Sequence, residues 1–560
     1  MDIVKLRQVI AHGETMTTEF KSDQRSNLND KTLIEAAVCL ANGRGGLLIV
    51  GVEDDGTITG ARSRQGDKTI PTHVEAMLAN GTNPALQALV SEIMIDGKSV
   101  LVIDVAEAKV VVATNAGLYV RRAMQVDGTP QCVPFFAHEM LADRIDRGEI
   151  DYAAIPELKA SMSDLDPLEF ERFRRLVARA SNESSLATLS DQDVLKALGL
   201  ASSAGESLEL RRGALLLFGF PASISKFIPT HEVAFQVLRG DIVEVNEINQ
   251  DPLFKAAEFL FGRIQGRNSQ EEVQYGLLRV SIPLMPEIAA REAIANALVH
   301  RDYTRIGAVR VQFADDSIEI SSPGGFPRGV TLHNFLDASL ARSPLLASAF
   351  GQAGLVERTG RGIGRIFDSF LRIGRNAPDY SRSTSDKVCV VFPTSAADLA
   401  FVRFLLNHEE ITGKKLRLAD LQILQSLRDE PHASISEISD VIQKSESETR
   451  TILSRMLEDG MIEQRGAGRT RRFTLTSNVY RALEAPLAYV RVNPFDAIQH
   501  EQMVLTYVAA HGDITRRQAG DLCGMDPSGA GALLRRMRDS GALTLVGEKR
   551  GARYVLTSEA

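Results

Sequence analysis

The chain has 560 residues, too many for a single core; at roughly 150 residues per domain it accommodates about three to five domains. Hydrophobic residues make up 44% and charged residues 24%, the balance of a globular chain and not of a disordered or fibrous one. A net charge of −8 excludes a uniformly basic coat for nucleic acid, and no apolar run reaches the roughly 18 residues of a membrane helix, so a cytoplasmic chain with local binding patches is expected.

Residues 1–150 alternate helical and strand patterns: a helix near Lys31 to Ala41, then GGLLIVGVEDDG, SVLVIDVAEA and AGLYVRRAM. The apolar run Leu47 to Val52 between glycines reads as a buried strand, which makes this an α/β domain. Residues 151–285 read as an α/β connector with helical stretches, a strand at ALLLFGF and another around HEVAFQVLRG. Residues 286–398 supply a long helix (PEIAAREAIANALVHRDY), a hairpin (AVRVQFADDSIEISSPGG), a glycine-rich turn opening a helix (ERTGRGIGRIFDSFLRIG) and a strand (KVCVVFP). That pattern predicts a helix layer on a sheet. Cys39, Cys132, Cys389 and Cys523 lie far apart with no CxxC pair, so buried thiols are expected, with no disulfide framework or zinc site.

The remainder holds two copies of one pattern, 414–482 and 498–560, joined by APLAYVRVNPFD. Each copy reads as three helices and then two short strands around a basic turn, the pattern of a winged helix-turn-helix. Ser445 is suited to cap the third helix of the first copy. In such folds the third helix enters the major groove and the wing places cations on phosphates. The candidate contacts are Arg450, Arg455, Arg469, Arg471 and Arg472 in the first copy, and Arg535, Arg536, Arg538, Lys549, Arg550 and Arg553 in the second. The acidic Glu446, Glu448 and Glu458 make the second copy the better DNA reader.

Glu292 and Asn296 stand one helical turn apart on one face. Farther along come the turn with Gly324 and Gly325, and Gly360, Gly362 and Gly364, whose backbone can approach phosphates at a helix N-terminus. With ALVHRDY, SPGGFP, ARSPLLASAF and ERTGRGIGRI, this region resembles the divergent ATPase domain of GHKL (Bergerat-like) type, an α/β sandwich found in predicted transcriptional regulators and labelled RecG-like. The resemblance implies ATP with Mg²⁺, Asn296 as the metal-holding residue and Glu292 as the base that orients water. One departure stands out. The family's Asp-x-Gly-x-Gly box, whose Asp reads adenine, is here Ser322-Pro323-Gly324-Gly325-Phe326. ATP binding with slow or absent turnover is the favoured reading, and a scaffold whose glycines serve only as turns is the alternative. His300 is read as a structural histidine more readily than a nucleotide contact.

At the N-terminus, ETMTTEFKSD, ANGRGG and VGVEDDG together resemble the Schlafen AlbA-like domain over about residues 10–140. The resemblance implies nucleic-acid binding, DNA or RNA, and in some relatives RNA cleavage by three carboxylates. Glu14, Glu19 and Asp54 match those positions, with Asp55 as a substitute for Asp54. Lys21, Arg44, Arg121 and Arg122 are the candidates for phosphate contacts without cleavage. The order of domains reads as an ATP-binding, DNA-binding regulator, expected as a homo-oligomer. A metal-dependent nuclease with winged helices for targeting is the rival.

Overall fold

The computed structural model describes residues 2–24, 28–64, 68–125, 128–180, 185–204, 207–275, 278–327, 329–338, 340–356, 360–466, 471–483, 497–547 and 552–557. The chain divides into two compact units, Met1–Asp151 and Tyr152–Ala560. No helix among the described residues is long and apolar enough to cross a membrane.

The first unit is built on a four-stranded sheet in the order Thr18–Lys21, Gly46–Val50, Lys98–Val105, Ala88–Ile95, parallel in its first pair and antiparallel in the others. The run LLIV is apolar at every position because both faces are covered. Leu48 and Val50 pack under the helix Asp30–Asn42, while Ile49 joins Leu6 and Ile10 of the helix Ile3–His12. Asn29 caps the first of these helices by accepting from the Thr32 N–H. A disulfide joins Cys39 on that helix to Cys132 on the strand Pro130–Pro134, which corrects the expectation of four thiols. The two cysteines are 93 residues apart, a separation at which spacing carries no signal. Cys389 and Cys523 are free and buried.

The second unit holds a five-stranded sheet in the order Ile242–Asn249, Val233–Arg239, Val309–Phe313, Ser317–Pro323, Lys387–Pro393. Val233–Arg239 runs parallel to Val309–Phe313, so the expected connector contributes two strands to the sheet itself. A parallel pair requires a long crossover, and here the crossover carries the helices Leu253–Gln265 and Glu287–Val299. ALLLFGF is not a strand. Arg212–Phe218 is a helix with every residue from Gly213 to Phe218 buried, and a short run apolar all round has no periodicity to tell the two apart. The helices Glu287–Val299 and Gly362–Arg372 pack against each other, and Phe370 of the latter stacks on Phe392 of the last strand at 5.1 Å.

Both C-terminal copies form three helices and a two-stranded hairpin. The first has helices Leu418–Asp429, Ile435–Ile442 and Glu446–Glu458, and strands Ile462–Arg465 and Arg472–Leu475. Ser445 accepts from the Glu448 N–H as the N-cap, with the Glu448 carboxylate returning to Ser445. The second has Ala497–His511, Arg516–Cys523, Pro527–Asp539, Leu543–Val546 and Arg553–Leu556. The segment between the copies lies outside the described residues.

Candidate functional site

The helix Glu287–Val299 is rich in alanine, and Ala289, Ala290, Ala293 and Ala297 are buried, which lets neighbouring elements come close. Glu292 and Asn296 both line a cavity of about 490 Å³, within the usual range for small-molecule sites. Gly324, Gly325, Gly360 and Gly362 line it too, and its apolar walls include Ile320, Phe326, Phe335, Tyr380 and Val390. Gly364 does not line it. A methyl group there would sit 3.5 Å from Leu418 of the first winged helix. At Gly362 a methyl would lie 2.7 Å from Glu292 Oε2 and 3.7 Å from Asn296 Nδ2, so a bare backbone faces both side chains. Gly362 opens its helix after Arg361, which provides no side-chain cap. The positive end of that helix therefore faces the cavity with no cap from the side chain that precedes it.

Glu292 is buried and accepts from Arg365 Nη1 at 3.1 Å, one helical turn inside the facing helix. Ser322, which stands where the family's box carries its Asp, donates its hydroxyl to the Ala297 carbonyl at 2.7 Å. Arg342 went unread in the sequence although ARSP had marked its neighbourhood. It is buried and donates to the carbonyls of His300 at 2.8 Å and Gly325 at 2.7 Å, tying the helix end to the glycine turn. Gly324 has φ +95°, and a methyl there would meet Asp302 Cβ at 2.6 Å, so only glycine fits. Burial, reinforced by the Arg342 charge, lowers the His300 pKa to about 4, which keeps the ring neutral.

In the first unit the carboxylates meet a different environment. Arg122, expected on phosphates, is buried and pairs with Glu19, while its Nε and Nη2 donate to the carbonyls of Thr15 and Thr18, both at 2.9 Å. Lys21 also pairs with Glu19. Burial lowers the Lys21 pKa, and the Glu14 and Asp54 charges oppose that shift. Glu14 accepts from the Phe20 N–H at 2.7 Å. Among the described residues, which include Glu14, Glu19 and Asp54, no group of three or more His, Cys, Asp or Glu side chains is placed to hold a metal ion. Asp55 caps its own turn by accepting from Thr57 N–H at 2.8 Å, and Arg121 donates to Glu139 at 2.5 Å. Arg44 is exposed.

Of the winged-helix cations, Arg450 pairs with Glu446 at 2.7 Å, and Arg455 is turned inward onto the buried Asp420. Arg471 is half-buried and Arg472 exposed. In the second copy Arg535, Arg536 and Arg538 are exposed on the third helix, whose Leu533, Leu534 and Met537 face inward. Arg536 pairs with Glu501 at 2.9 Å, Arg538 with Asp539 at 2.6 Å and Arg553 with Asp513 at 2.9 Å. Arg469, Lys549 and Arg550 lie outside the described residues.

Family models match four stretches of the chain: "Schlafen, AlbA_2" at residues 14–128, a domain of unknown function (DUF8451) at 138–234, "Putative ATP-dependent DNA helicase recG C-terminal" at 307–392, and "Winged helix-turn-helix DNA-binding" at 416–463. The chain therefore joins a Schlafen AlbA_2 domain, a RecG-type ATPase-like domain and a winged helix. No curated protein matches it. Among solved structures, the DIP2311 protein from Corynebacterium diphtheriae is similar at 19% identity, with 99% of each chain covered and a TM-score of 0.49. The N-terminal domain of a RecG-related protein from Nitrosomonas europaea is 24% identical over 19% of this chain and 72% of its own, with a TM-score of 0.15. ScpB from Mycobacterium tuberculosis is 15% identical over 26% of this chain and 94% of its own, with a TM-score of 0.10. The AlbA_2 match spans Glu14, Glu19 and Asp54, the RecG-type match spans Gly324, Gly325, Gly360 and Gly362 but not Glu292 or Asn296, and the matched winged helix spans Arg450 and Arg455.

Proposed function

We propose that the chain is a DNA-binding regulator, acting on transcription in a bacterial cytoplasm, whose grip on DNA is set by ATP bound with Mg²⁺ in the RecG-type domain. The observation that carries this reading is the convergence of Glu292, Asn296 and the N-terminus of Gly362–Arg372 on one cavity. An amide oxygen, a carboxylate and the backbone N–H groups of a helix N-terminus are the set of groups that a metal-bound triphosphate needs. Asn296 would hold the magnesium, and the Gly360 to Gly362 backbone would face phosphates. When bound, ATP with Mg²⁺ supplies a transferable phosphoryl group and a dense negative charge. Glu292 is positioned to orient water, but Arg365 pairs with it and lowers its availability as a base, which favours an effector role over rapid turnover. At the base end the wall is apolar and the Ser322 hydroxyl is engaged, so adenine is held by packing on Phe326, Phe335 or Tyr380 with no carboxylate from that box. DNA is taken by the winged helices, with Arg535 and Arg538 of the second copy foremost, and the assembly is a homo-oligomer.

Equilibrium binding of labelled ATP with Mg²⁺ to the wild type and to Asn296→Ala, with DNA affinity recorded alongside, tests the reading. Saturable binding weakened at least about tenfold in the variant, a loss of about 1.4 kcal/mol, is expected. Equal affinity in the two proteins removes Asn296 from the site, and no binding in either removes the nucleotide.

A further inference from the structure

The first winged helix does not stand free of the RecG-type domain. Its core runs without a break into Leu371 of the helix Gly362–Arg372 and into Phe401 and Leu405 of the helix Leu399–Thr412. More telling is the turn between its second and third helices. Gln443 ends the second helix in the left-handed conformation, φ +52°, where glycine or asparagine is usual. Its side-chain amide is spent on segment 329–338 of the RecG-type domain, accepting from the Leu336 N–H at 3.0 Å and donating to the Leu332 carbonyl at 2.8 Å. The next residue, Lys444, pairs with Asp337 of the same segment at 2.6 Å. From that segment Phe335 reaches into the cavity, its ring 4.8 Å from that of Tyr380, and Val330 and Ala338 also line the cavity. One short stretch of chain thus meets the cavity on one side and the helix-turn-helix turn on the other.

In a helix-turn-helix the third helix reads bases from its N-terminal residues, so the turn before it must come close to the duplex. Here that turn is occupied. We infer that the contact of Gln443 and Lys444 with segment 329–338 is a latch that withholds the first winged helix from DNA, and that a nucleotide packed against Phe335 keeps the latch shut. The second half of this inference rests on the reading of the cavity as a nucleotide site and gives that site its regulation. Nucleotide and DNA then oppose each other through the first winged helix, and each must weaken the other by the same factor. The second winged helix has a hydrophobic core of its own, built on Val504, Val508, Leu533 and Leu534, and remains the constitutive reader.

The test uses the full chain and a fluorescent, mixed-sequence DNA duplex at low salt. The pair Gln443→Ala with Asp337→Asn opens the latch without touching a cavity-lining side chain. Its DNA affinity should rise about five- to tenfold without nucleotide, and added ATP with Mg²⁺ should no longer weaken DNA binding. The converse variant, Asp337→Cys with Lys444→Cys, should bind DNA weakly when oxidised, regain affinity on reduction, and ignore nucleotide while locked, with wild type carried through both redox conditions as the control. If the opened and wild-type chains bind DNA alike with and without nucleotide, the latch is wrong even though ATP binds. If the opened chain gains DNA affinity while ATP binds neither protein, the latch stands and the nucleotide reading of the cavity falls.

Discussion

Glu19 in the AlbA_2 domain and Glu292 on the helix Glu287–Val299 are both buried carboxylates answered by an arginine, and they differ in how far that arginine is exposed. Arg122 has no exposed side-chain surface and is tied to two backbone carbonyls as well as to Glu19. Arg365 has 42% of its side chain exposed, and its carboxylate partner opens onto a cavity. The same pair of residue types is fully buried in the one place and half-exposed at its cation, beside a cavity, in the other. The difference lies in where the cation is anchored.

The most forceful way to break that comparison is Arg122→Ala, which leaves buried Glu19 with Lys21 alone and removes the donors to the Thr15 and Thr18 carbonyls. The AlbA_2 domain should lose about 3–5 kcal/mol, read as a drop in its denaturant midpoint. A neutral result would make Glu19 an exposed, exchangeable acid and reopen the nuclease reading. The second unit should instead be sensitive to acid. Burial holds His300 and His231 at about 4, below the ordinary 6.5, so the unfolded chain takes up protons that the folded chain refuses. Stability is therefore full above pH 6.5 and falls as pH drops toward 4, by at most about 3 kcal/mol per histidine. Unfolding curves across that range should be flatter for His300→Gln than for the wild type, and parallel curves would contradict the burial of a neutral ring. Smaller still, Arg365→Ala should cost about 1 kcal/mol of stability, because 42% of the arginine side chain is in solvent and its partner Glu292 lines a cavity. It should nonetheless change ATP affinity, and a loss as large as that of Arg122→Ala would erase the distinction. Arg535→Ala should weaken DNA binding uniformly across sequences and reduce the salt slope by about one, as measured by titration at several salt concentrations.

The two winged helices were legible because each repeats a full helical pattern with local caps, and Ser445 with Glu448 is a signal contained within four residues. Glu292 and Asn296 were legible as partners because helical spacing alone puts them on one face. What escaped the sequence depends on contacts between distant segments. Val233–Arg239 enters the sheet beside Val309–Phe313 across a crossover whose length hides the pairing. ALLLFGF is apolar on every side, so its pattern favours neither a helix nor a strand. Arg122 and Arg455 look like phosphate ligands in sequence, and only the fold discloses that Glu19 and Asp420 already neutralise them. The Cys39–Cys132 bridge and the hold of Gln443 on Leu332 and Leu336 belong to the same class.

The central claim, that Glu292 and the opening of the helix Gly362–Arg372 form the phosphate end of a nucleotide site, is tested most directly by ATP binding to Gly362→Ala. The added methyl would sit 2.7 Å from Glu292 Oε2, at a helix position where alanine is otherwise favourable. The account expects an unchanged melting temperature and a loss of at least about tenfold in affinity for ATP with Mg²⁺. Wild-type affinity in a stably folded Gly362→Ala would contradict it.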